Sequence, residues 1–336
     1  MHTAPEKQSI DRQFTTLIPV RQRACIRVLA CPFQACQNSP MTRTDILCIG
    51  SLFWDIIGRS ADTVRLGSDV PGRIVRLPGG VAMNIAMTLR RFGLHPAILT
   101  AIGRDDEGRE LIRACEHLGI GTEHVYRSQD LPTDRYMAVE GANGLIAAIA
   151  DAHSLEAAGD RILRPLADGT LGDVDAPFGG LIALDGNLTA ALLGEIATSP
   201  LFAAADLRVA SASPGKVERL LPLIGHPKAT LYVNLEEARR LCGRDCTDSA
   251  MAAQALIDQG AQRVLVTDGP ATATLASPAA TISAQPPKVP VRRITGAGDT
   301  FMAAHIAAEI SGDKPEQALN AALQAAADYV SGDTQL

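Results

Sequence analysis

The chain of 336 residues has few features of a membrane protein or a nucleic-acid-binding protein. No apolar run approaches the roughly 18 residues needed to span a bilayer. The net charge is −6, the isoelectric point is near 5.7, and no cluster of Lys and Arg is interleaved with aromatic residues. Such a chain offers no basic surface to a phosphate backbone. We therefore predict that neither a membrane nor a polymeric nucleic acid is a partner.

The cysteines follow no pairing pattern. There is no C-x-x-C spacing among the seven, which are Cys25, Cys31, Cys36, Cys48, Cys115, Cys242 and Cys246. This pattern predicts reduced thiols in a cytoplasmic protein rather than a disulfide framework. Cys242 and Cys246 are four residues apart, but no His or second Cys pair stands near them, so packing is favoured over metal binding.

A nicotinamide-binding fingerprint is also missing, because the first apolar run, Asp45–Gly50, is not followed by G-x-G-x-x-G. Short apolar runs then alternate with helical segments of about ten residues, which predicts one α/β domain with a mostly parallel sheet covered on both faces. Ligands of such folds bind at the carboxyl ends of the strands. The predicted helices are Gly108–Leu118, Thr189–Ala197, Lys216–Leu223, Leu235–Cys242 and Ser249–Gln259. The predicted strands are Ile46–Ile49, Ala97–Ile102, Leu181–Leu184, Val209–Ala210, Ala229–Val233 and Val264–Thr267.

Residues 1–44 differ from the rest of the chain. They contain Arg12, Arg21, Arg23 and Arg27 with few acids, and they show no helical or alternating pattern. We predict a disordered extension before a domain that comprises residues 45–336. An upstream mis-assigned start, with Met41 as the true first residue, is a second interpretation, and an Arg-rich transit peptide is a third.

A Gly-rich turn followed by a carboxylate occupies residues 294–300, which read I-T-G-A-G-D-T. Gly296 and Gly298 allow backbone angles that other residues disfavour, so neighbouring amides can converge on one point. A helix is predicted to follow over Asp299–Ile310, and its first-turn amides carry the positive end of the helix dipole. The pattern therefore predicts an anion hole for a phosphate. Its amides are those of Gly296, Ala297, Gly298 and Asp299.

The carboxylate of Asp299 would repel a phosphate bound at this turn. It is useful there if it takes a proton from an attacking hydroxyl while the phosphoryl group moves, which predicts a general base. The alternative interpretation is an ordinary first-turn acid, since short glycine motifs are common.

A second motif stands near the start, where residues 78–93 read P-G-G-V-A-M-N-I-A-M-T-L-R-R-F-G. Together with I-T-G-A-G-D-T-F-M-A-A at residues 294–304, it resembles the ribokinase-like (PfkB-type) carbohydrate and nucleoside kinases, over Asp45 to about Val330. The resemblance implies a three-layer α/β sandwich with a small β lid from residues 58–78 and 133–150. It also implies a homodimer contact through the lid. A surface hairpin pair is the alternative for these segments.

The resemblance further implies site residues and cofactors. Asp55, with Gly79, Gly80 and Asn84, would bind hydroxyls of the acceptor. Asn234 and Glu237 match an N-x-x-E element for the hydrated Mg²⁺ of ATP, although the same pair also fits a capped helix start. Thr267 and Gly269 would contact the phosphate and ribose of ATP. Asn320, at the start of the small-residue segment 320–327, would contact the adenine, and a plain packing helix is the alternative for that segment. Some relatives also require a monovalent cation such as K⁺.

The acceptor is the finer question. Phe53 and Arg293-Ile294 depart from the usual ribokinase and fructokinase pattern, whereas residues 147–155 and 183–188 look like pseudouridine kinases. These features predict transfer of the ATP γ-phosphate to the 5′-hydroxyl of free pseudouridine. Thr133, Asn143 and Asp151 are predicted to hydrogen-bond the polar edge of the base. For Asn143 and Asp151 the alternative is a solvated turn residue. Alternatives are a kinase for ribose, fructose, adenosine, inosine or cytidine, and a non-catalytic nucleoside-binding regulator.

Overall fold

The computed structural model describes residues 44–332. The extension predicted for residues 1–44 lies outside the described residues, apart from Thr44. The strands are β1 (Ile46–Ile49), β2 (Phe53–Arg59), β3 (Arg73–Gly79), β4 (Pro96–Leu99), β5 (Ala101–Gly103), β6 (Tyr126–Ser128), β7 (Arg135–Gly141), β8 (Gly144–Asp151), β9 (Leu181–Asp185), β10 (Asp206–Ala210), β11 (Ala229–Asn234), β12 (Arg263–Thr267), β13 (Ala273–Ser277) and β14 (Ala280–Ala284).

The α-helices are α1 (Val81–Arg91), α2 (Asp106–His117), α3 (His153–Ala158), α4 (Ala190–Thr198), α5 (Leu235–Cys242), α6 (Ser249–Asp258), α7 (Ala297–Ile310) and α8 (Pro315–Ser331). Short 3₁₀ helices cover Gly159–Leu166, Pro200–Phe202 and Val217–Leu223. No helix within residues 44–332 is both long enough and apolar enough to cross a membrane.

Eight strands form the central sheet, in the order β14-β13-β12-β11-β10-β9-β1-β4. The six strands from β12 to β4 run parallel, and the β13–β14 hairpin closes one edge antiparallel. Alternate side chains of each strand enter two separate cores. Leu47 and Ile49 of β1 pack with α4, α5 and α6, while Ile46 and Cys48 pack with α1, α2, α7 and α8. The predicted three-layer α/β architecture is confirmed.

Two predicted elements differ in detail. The strand expected over Ala97–Ile102 is interrupted at Thr100, where β4 stays in the central sheet and β5 pairs with β6 in a two-stranded sheet. The helix expected over Lys216–Leu223 is a 3₁₀ helix that contains Pro222. A proline inside a helix removes one backbone donor, which disfavours a regular α-helix there.

A separate four-stranded sheet, in the order β3-β2-β7-β8, forms the small lid. It begins at Phe53, earlier than the predicted residue 58, and Val64–Leu66 is not a strand. Tyr136 and Ala138 face inward, so the register puts Ile74, Met137, Val139 and Ile149 on the opposite face. These four side chains are 76%, 50%, 40% and 67% exposed, which leaves the outer face of the lid apolar.

Candidate active site

A cleft of about 830 Å³ lies between the lid and the carboxyl ends of the parallel strands. The lid and α1 contribute one end, through Phe53, Asp55, Asn84 and Tyr136. The segments that follow β11 and β12 contribute the other end, through Asn234, Glu237, Thr267, Asp268 and Gly269. The turn over residues 294–299 also lines the cleft. The position agrees with the rule that open parallel sheets bind ligands beyond their carboxyl edge.

The turn before α7 is held by glycine geometry. Gly296 precedes the helix with φ of 89°, in the left-handed region that favours glycine. The amide of Ala297 donates to the carbonyl of Ile294 at 3.0 Å, so it is occupied. Among residues 44–332, the amides of Gly296, Gly298 and Asp299 donate no hydrogen bond. Three of the predicted four amides are therefore open to an anion, and those of Gly298 and Asp299 lie in the first turn, at the positive end of α7.

Asp299 is nearly buried at this turn, with 9% of its surface exposed. Its Oδ2 accepts a hydrogen bond of 2.8 Å from Nδ2 of Asn84, at the opposite end of the chain. Burial raises the pKa of Asp299 to about 7, the Asn84 hydrogen bond opposes that rise, and the charges of Asp185, Glu237 and Asp55 add to it. A carboxylate that titrates near neutrality is suited to accept a proton during turnover.

Asp55 faces the lid end of the cleft. Burial raises its pKa to about 6, and none of the described residues hydrogen-bonds its carboxylate. Gly79 lies directly behind it, since a Cβ at Gly79 would overlap the Asp55 carboxyl group. Gly80 has φ of 103°, and a Cβ there would lie 2.5 Å from the Ser51 carbonyl oxygen. The two glycines therefore keep room for the Asp55 carboxylate and for the start of α1.

A buried hydrogen-bond network supports this end of the cleft. Asp185 is fully buried and accepts from the Ser51 amide at 2.7 Å and from the Asn187 amide at 2.7 Å. The Ser51 hydroxyl also bonds Asp185 and accepts from the Val81 amide at 2.9 Å. The segment after β1, the segment after β9 and the first turn of α1 are thus fixed to one another. Neither Ser51 nor Asp185 had a predicted role in the site. Ser51 follows β1 without a characteristic spacing, and Asp185, the last residue of β9, was only part of the stretch 183–188 that bears on the acceptor.

At the other end, Asn234 and Glu237 form a capping box on α5. Asn234 Oδ1 accepts from the Glu237 amide at 2.9 Å, and Glu237 Oε2 accepts from the Asn234 amide at 2.9 Å. Ser211 donates a further 2.6 Å bond to Oε2. Burial raises the pKa of Glu237. The described residues give no hydrogen-bond partner to Asn234 Nδ2 or Glu237 Oε1, so helix capping leaves one atom of each side chain for a ligand.

The residues present fit a Mg²⁺ ion held mainly by phosphates and water. Residues 44–332 hold no group of three or more His, Cys, Asp or Glu arranged as a metal site. Mg²⁺ bound with nucleotides usually keeps several waters and takes one or two carboxylates. The free Oε1 of Glu237 supplies a carboxylate contact of that kind beside the cleft. The free Nδ2 of Asn234 is a hydrogen-bond donor, which is suited to a phosphate oxygen or a bound water rather than to the ion itself.

Four predicted site residues have other partners and do not line the cleft. Thr133 is buried and bonds Asp105, and Asn143 bonds the backbone of Val64 at the tip of the lid. Asp151 pairs with His153, while its neighbours Ala150 and Ala152 line the cleft. Asn320 is exposed on α8 and donates to the Glu316 carbonyl. The strand alternation of β8 explains the position of Asp151.

Three further side chains line the cleft. Phe53 and Tyr136 stack at the lid end, with ring centroids 6.4 Å apart and an angle of 26° between the planes. Lys216 follows β10, and its Nζ donates to Asn187 Oδ1 at 2.8 Å. Tyr136 and Lys216 had no predicted role, because a lone aromatic residue in a hairpin and a lone lysine carry no motif.

Comparison with known proteins shows the family of the chain. Residues 43–332 match the profile of the pfkB family of carbohydrate kinases, and the chain belongs to that family. It is 26% identical to the ribokinase of Mus musculus over 276 residues, which are 77% of this chain and 80% of the ribokinase. It is 29% identical to the pseudouridine kinase of Arabidopsis thaliana over 100 residues, which are 30% of this chain but only 26% of that kinase.

The crystal structure of the ribokinase of Thermotoga maritima superimposes with a TM-score of 0.70. The identity is 22%, and the overlap covers 86% of this chain and 93% of the ribokinase. The predicted ribokinase-like fold is therefore confirmed.

Proposed function

We propose that this protein transfers the γ-phosphate of ATP to the 5′-hydroxyl of a free nucleoside. The observation that carries the proposal is the position of Asp299. It lies at the first turn of α7 beside two amides without partners, and it is hydrogen-bonded to Asn84 from the acceptor end of the cleft. One carboxylate thus stands where the acceptor and the phosphate must meet.

The acceptor hydroxyl gives its proton to Asp299 as its oxygen attacks the γ-phosphorus. The bond from phosphorus to the bridging oxygen breaks, and ADP leaves with the electron pair. The Gly298 and Asp299 amides stabilise negative charge on the transferring group, as donors fixed in advance at a helix terminus. Asn84 holds the Asp299 carboxylate in place, and the lid excludes water from the phosphoryl donor.

Mg²⁺ fits beside Glu237 and Asn234, and when bound it neutralises charge on the ATP phosphates. Thr267 and Gly269 line the same end and are suited to contact the nucleotide. Gly269 has φ of 52°, so its backbone adopts a conformation that L side chains rarely take. We also propose a requirement for K⁺, which only the family resemblance of the sequence implies. Replacing K⁺ by tetramethylammonium in the assay tests it, because unchanged turnover would remove K⁺ from the scheme.

Within this function we propose pseudouridine as the acceptor. Two observations support it: the stacked Phe53 and Tyr136 rings offer a flat apolar wall beside Asp55, and two stretches resemble the pseudouridine kinases. Asp55, a half-buried carboxylate with no partner in the described chain, suits the ribose hydroxyls. A ribose kinase is the second candidate, favoured by the longer match to ribokinase.

Release of ADP from MgATP tests the proposal. The purified protein is assayed with pseudouridine, uridine, cytidine, adenosine, inosine, ribose and fructose, with Asp299→Asn as the inactive control. We expect turnover with pseudouridine. Turnover with another acceptor alone would refute the substrate assignment and retain the phosphotransferase. Nucleoside binding without ADP release from any acceptor would favour a non-catalytic regulator.

We further propose a homodimer through the outer face of the lid. Its support is the exposed apolar surface of Ile74, Met137, Val139 and Ile149, which a second copy would cover. Sedimentation velocity of the protein and of Ile149→Glu tests this. A monomer in both samples would contradict it.

The four cysteines within the described chain are free and buried, which supports the cytoplasmic location that we also propose.

A further inference from the structure

Lys216 is the only basic side chain among the described residues that line the cleft. The acidic residues that line it are Asp55, Glu236, Glu237, Asp268 and Asp299. A triphosphate entering this cleft therefore meets a surplus of negative charge. The two amides at α7 and a divalent cation offset part of it, and Lys216 is the remaining positive charge at the cleft wall.

The order of the strands places Lys216 between the two ends of the cleft. Asp55 and Asn84 stand beyond β1 at the acceptor end, whereas Asn234 and Thr267 end β11 and β12 at the nucleotide end. Strands β9 and β10 lie between β1 and β11 in the sheet. Lys216 comes six residues after Ala210, the last residue of β10. The phosphoryl group must cross the same interval.

The ammonium group of Lys216 is positioned without being neutralised. Its Nζ donates to the neutral Asn187 side chain at 2.8 Å, and within residues 44–332 no carboxylate forms an ion pair with it. The backbone N–H of Asn187 donates to buried Asp185, which fixes the position of the Asn187 residue and so of its side chain. One donor of the ammonium is used to fix its position, and the other two are available to phosphate oxygens.

We propose that Lys216 is a catalytic residue that binds the transferring phosphoryl group. This inference rests on the proposed phosphotransferase function and assigns the residue a role in it. The bond from the acceptor oxygen to phosphorus forms, the bond from phosphorus to the ADP oxygen breaks, and the acceptor proton passes to Asp299. Lys216 keeps its proton throughout and balances the charge on the equatorial phosphate oxygens.

The variants Lys216→Met and Lys216→Arg test this role, with Lys228→Met as the matched control. Lys228 is exposed and donates to the Ala204 carbonyl at the opposite edge of the sheet. We expect kcat to fall about 100-fold or more in Lys216→Met, the loss typical of one transition-state donor. Arginine keeps the charge, so Lys216→Arg should retain a larger share of turnover. Lys228→Met should match the unaltered protein.

Nucleotide binding separates contact with the γ-phosphate from a purely structural effect. Lys216→Met should weaken binding of a non-hydrolysable ATP analogue with Mg²⁺ while leaving the Kd of MgADP unchanged. An equal loss for both nucleotides, or a rise in the acceptor KM with unchanged kcat, would overturn the proposal. Absence of turnover in both the unaltered protein and Lys228→Met would instead count against the phosphotransferase function itself.

Discussion

The hydroxyl of Tyr329 lies directly over Gly296, where an added Cβ would stand 2.5 Å from the phenolic oxygen. That hydroxyl donates to the Thr295 carbonyl at 2.7 Å, and the guanidinium group of Arg293 lies 3.9 Å from the centre of the Tyr329 ring. The end of α8 therefore fixes the turn that presents the α7 amides. We expect Gly296→Ala to displace the turn and lower turnover about 100-fold, as misplacement by roughly 1 Å can do.

Gly312→Ala is the control for Gly296→Ala. Gly312 also has φ of 89°, but nothing lies within 4 Å of a Cβ there. An alanine at position 312 would carry the same backbone strain as one at 296, of order 1–3 kcal/mol, without the clash. Gly312→Ala should therefore lose stability in urea unfolding and keep its kcat. Equal kcat losses in both variants would show that the contact with Tyr329 does not matter.

The pH dependence should report Asp299. Its pKa is about 7 in the folded protein, and the base acts when deprotonated, so kcat/KM should fall as the pH drops below about 7. The hydrogen bond from Asn84 lowers that pKa. Asn84→Leu should therefore move the acid limb of the profile to higher pH. Asn320→Leu, at an exposed position on α8, should leave the limb in place.

Asp299→Asn should lower turnover and raise the stability of the protein. Turnover should fall by at least about three orders of magnitude, because Asp299 is the only carboxylate that the described residues place in the first turn of α7. The folded pKa of Asp299 lies above its ordinary value, so the native state loses stability as the pH rises from about 4 to 7. An asparagine at this position has no charge to bury, so this loss of stability with rising pH should disappear.

Thermal unfolding at pH 8 checks the stability part of this prediction. The Tm of Asp299→Asn should exceed that of the unaltered protein by about 2–4 °C for each kcal/mol regained. A lower Tm would mean that the carboxylate itself stabilises the turn.

A partly buried charge network under α7 should contribute to stability. Glu309 accepts from both Arg208 and Arg263. Burial alone would raise its pKa, but these two arginines bring it down to about 2. Removing one partner of a fully buried pair costs about 3–5 kcal/mol. Glu309 is partly exposed and Arg208 also pairs with Asp206, so Glu309→Ala should cost less than that but still shift the urea midpoint clearly. Glu110→Ala, which breaks an exposed pair with Arg76, should cost at most about 1 kcal/mol.

The same network predicts how the free energy of unfolding changes at acid pH. The pKa of Glu309 is depressed in the folded state, so its contribution is fully present above about pH 4.5. That contribution should be lost progressively as the pH falls toward 2. Unfolding free energies measured between pH 6 and pH 3 should therefore converge for the unaltered protein and Glu309→Ala. A constant difference across this range would contradict the pKa assignment.

The local features of the site were predictable from the sequence. The turn before α7 and the start of α5 are short-range structures, so their geometry depends on residues that are neighbours in the chain. The residues concerned are Gly296, Asp299, Asn234 and Glu237. The contact between Asn84 and Asp299 was not predictable, since 215 residues separate the pair. Only the packing of α1 against α7 brings them together.

Side-chain direction and irregular segments account for the remaining differences. Asp151 was assigned to the base edge, but the pleat of β8 directs Ala150 and Ala152 toward the cleft instead. Thr133 was assigned there too, although the first turn of α2 needs it: Asp105 caps that helix and bonds Thr133. Lys216 lies at the start of a 3₁₀ helix, where neither helical nor strand periodicity indicates which way a side chain points.

The hydrogen bond between Asn84 and Asp299 joins two regions of the chain that build opposite ends of the cleft. Residues 53–152 supply the lid and the acceptor end, while residues 210–299 supply the nucleotide end and the base. The first of these regions alone would hold the acceptor end of the cleft without Asp299, the proposed base. During synthesis the cleft therefore becomes complete only after α7 has emerged and packed against α1, and a chain cut between the two regions would have to reassemble before Asn84 could meet Asp299.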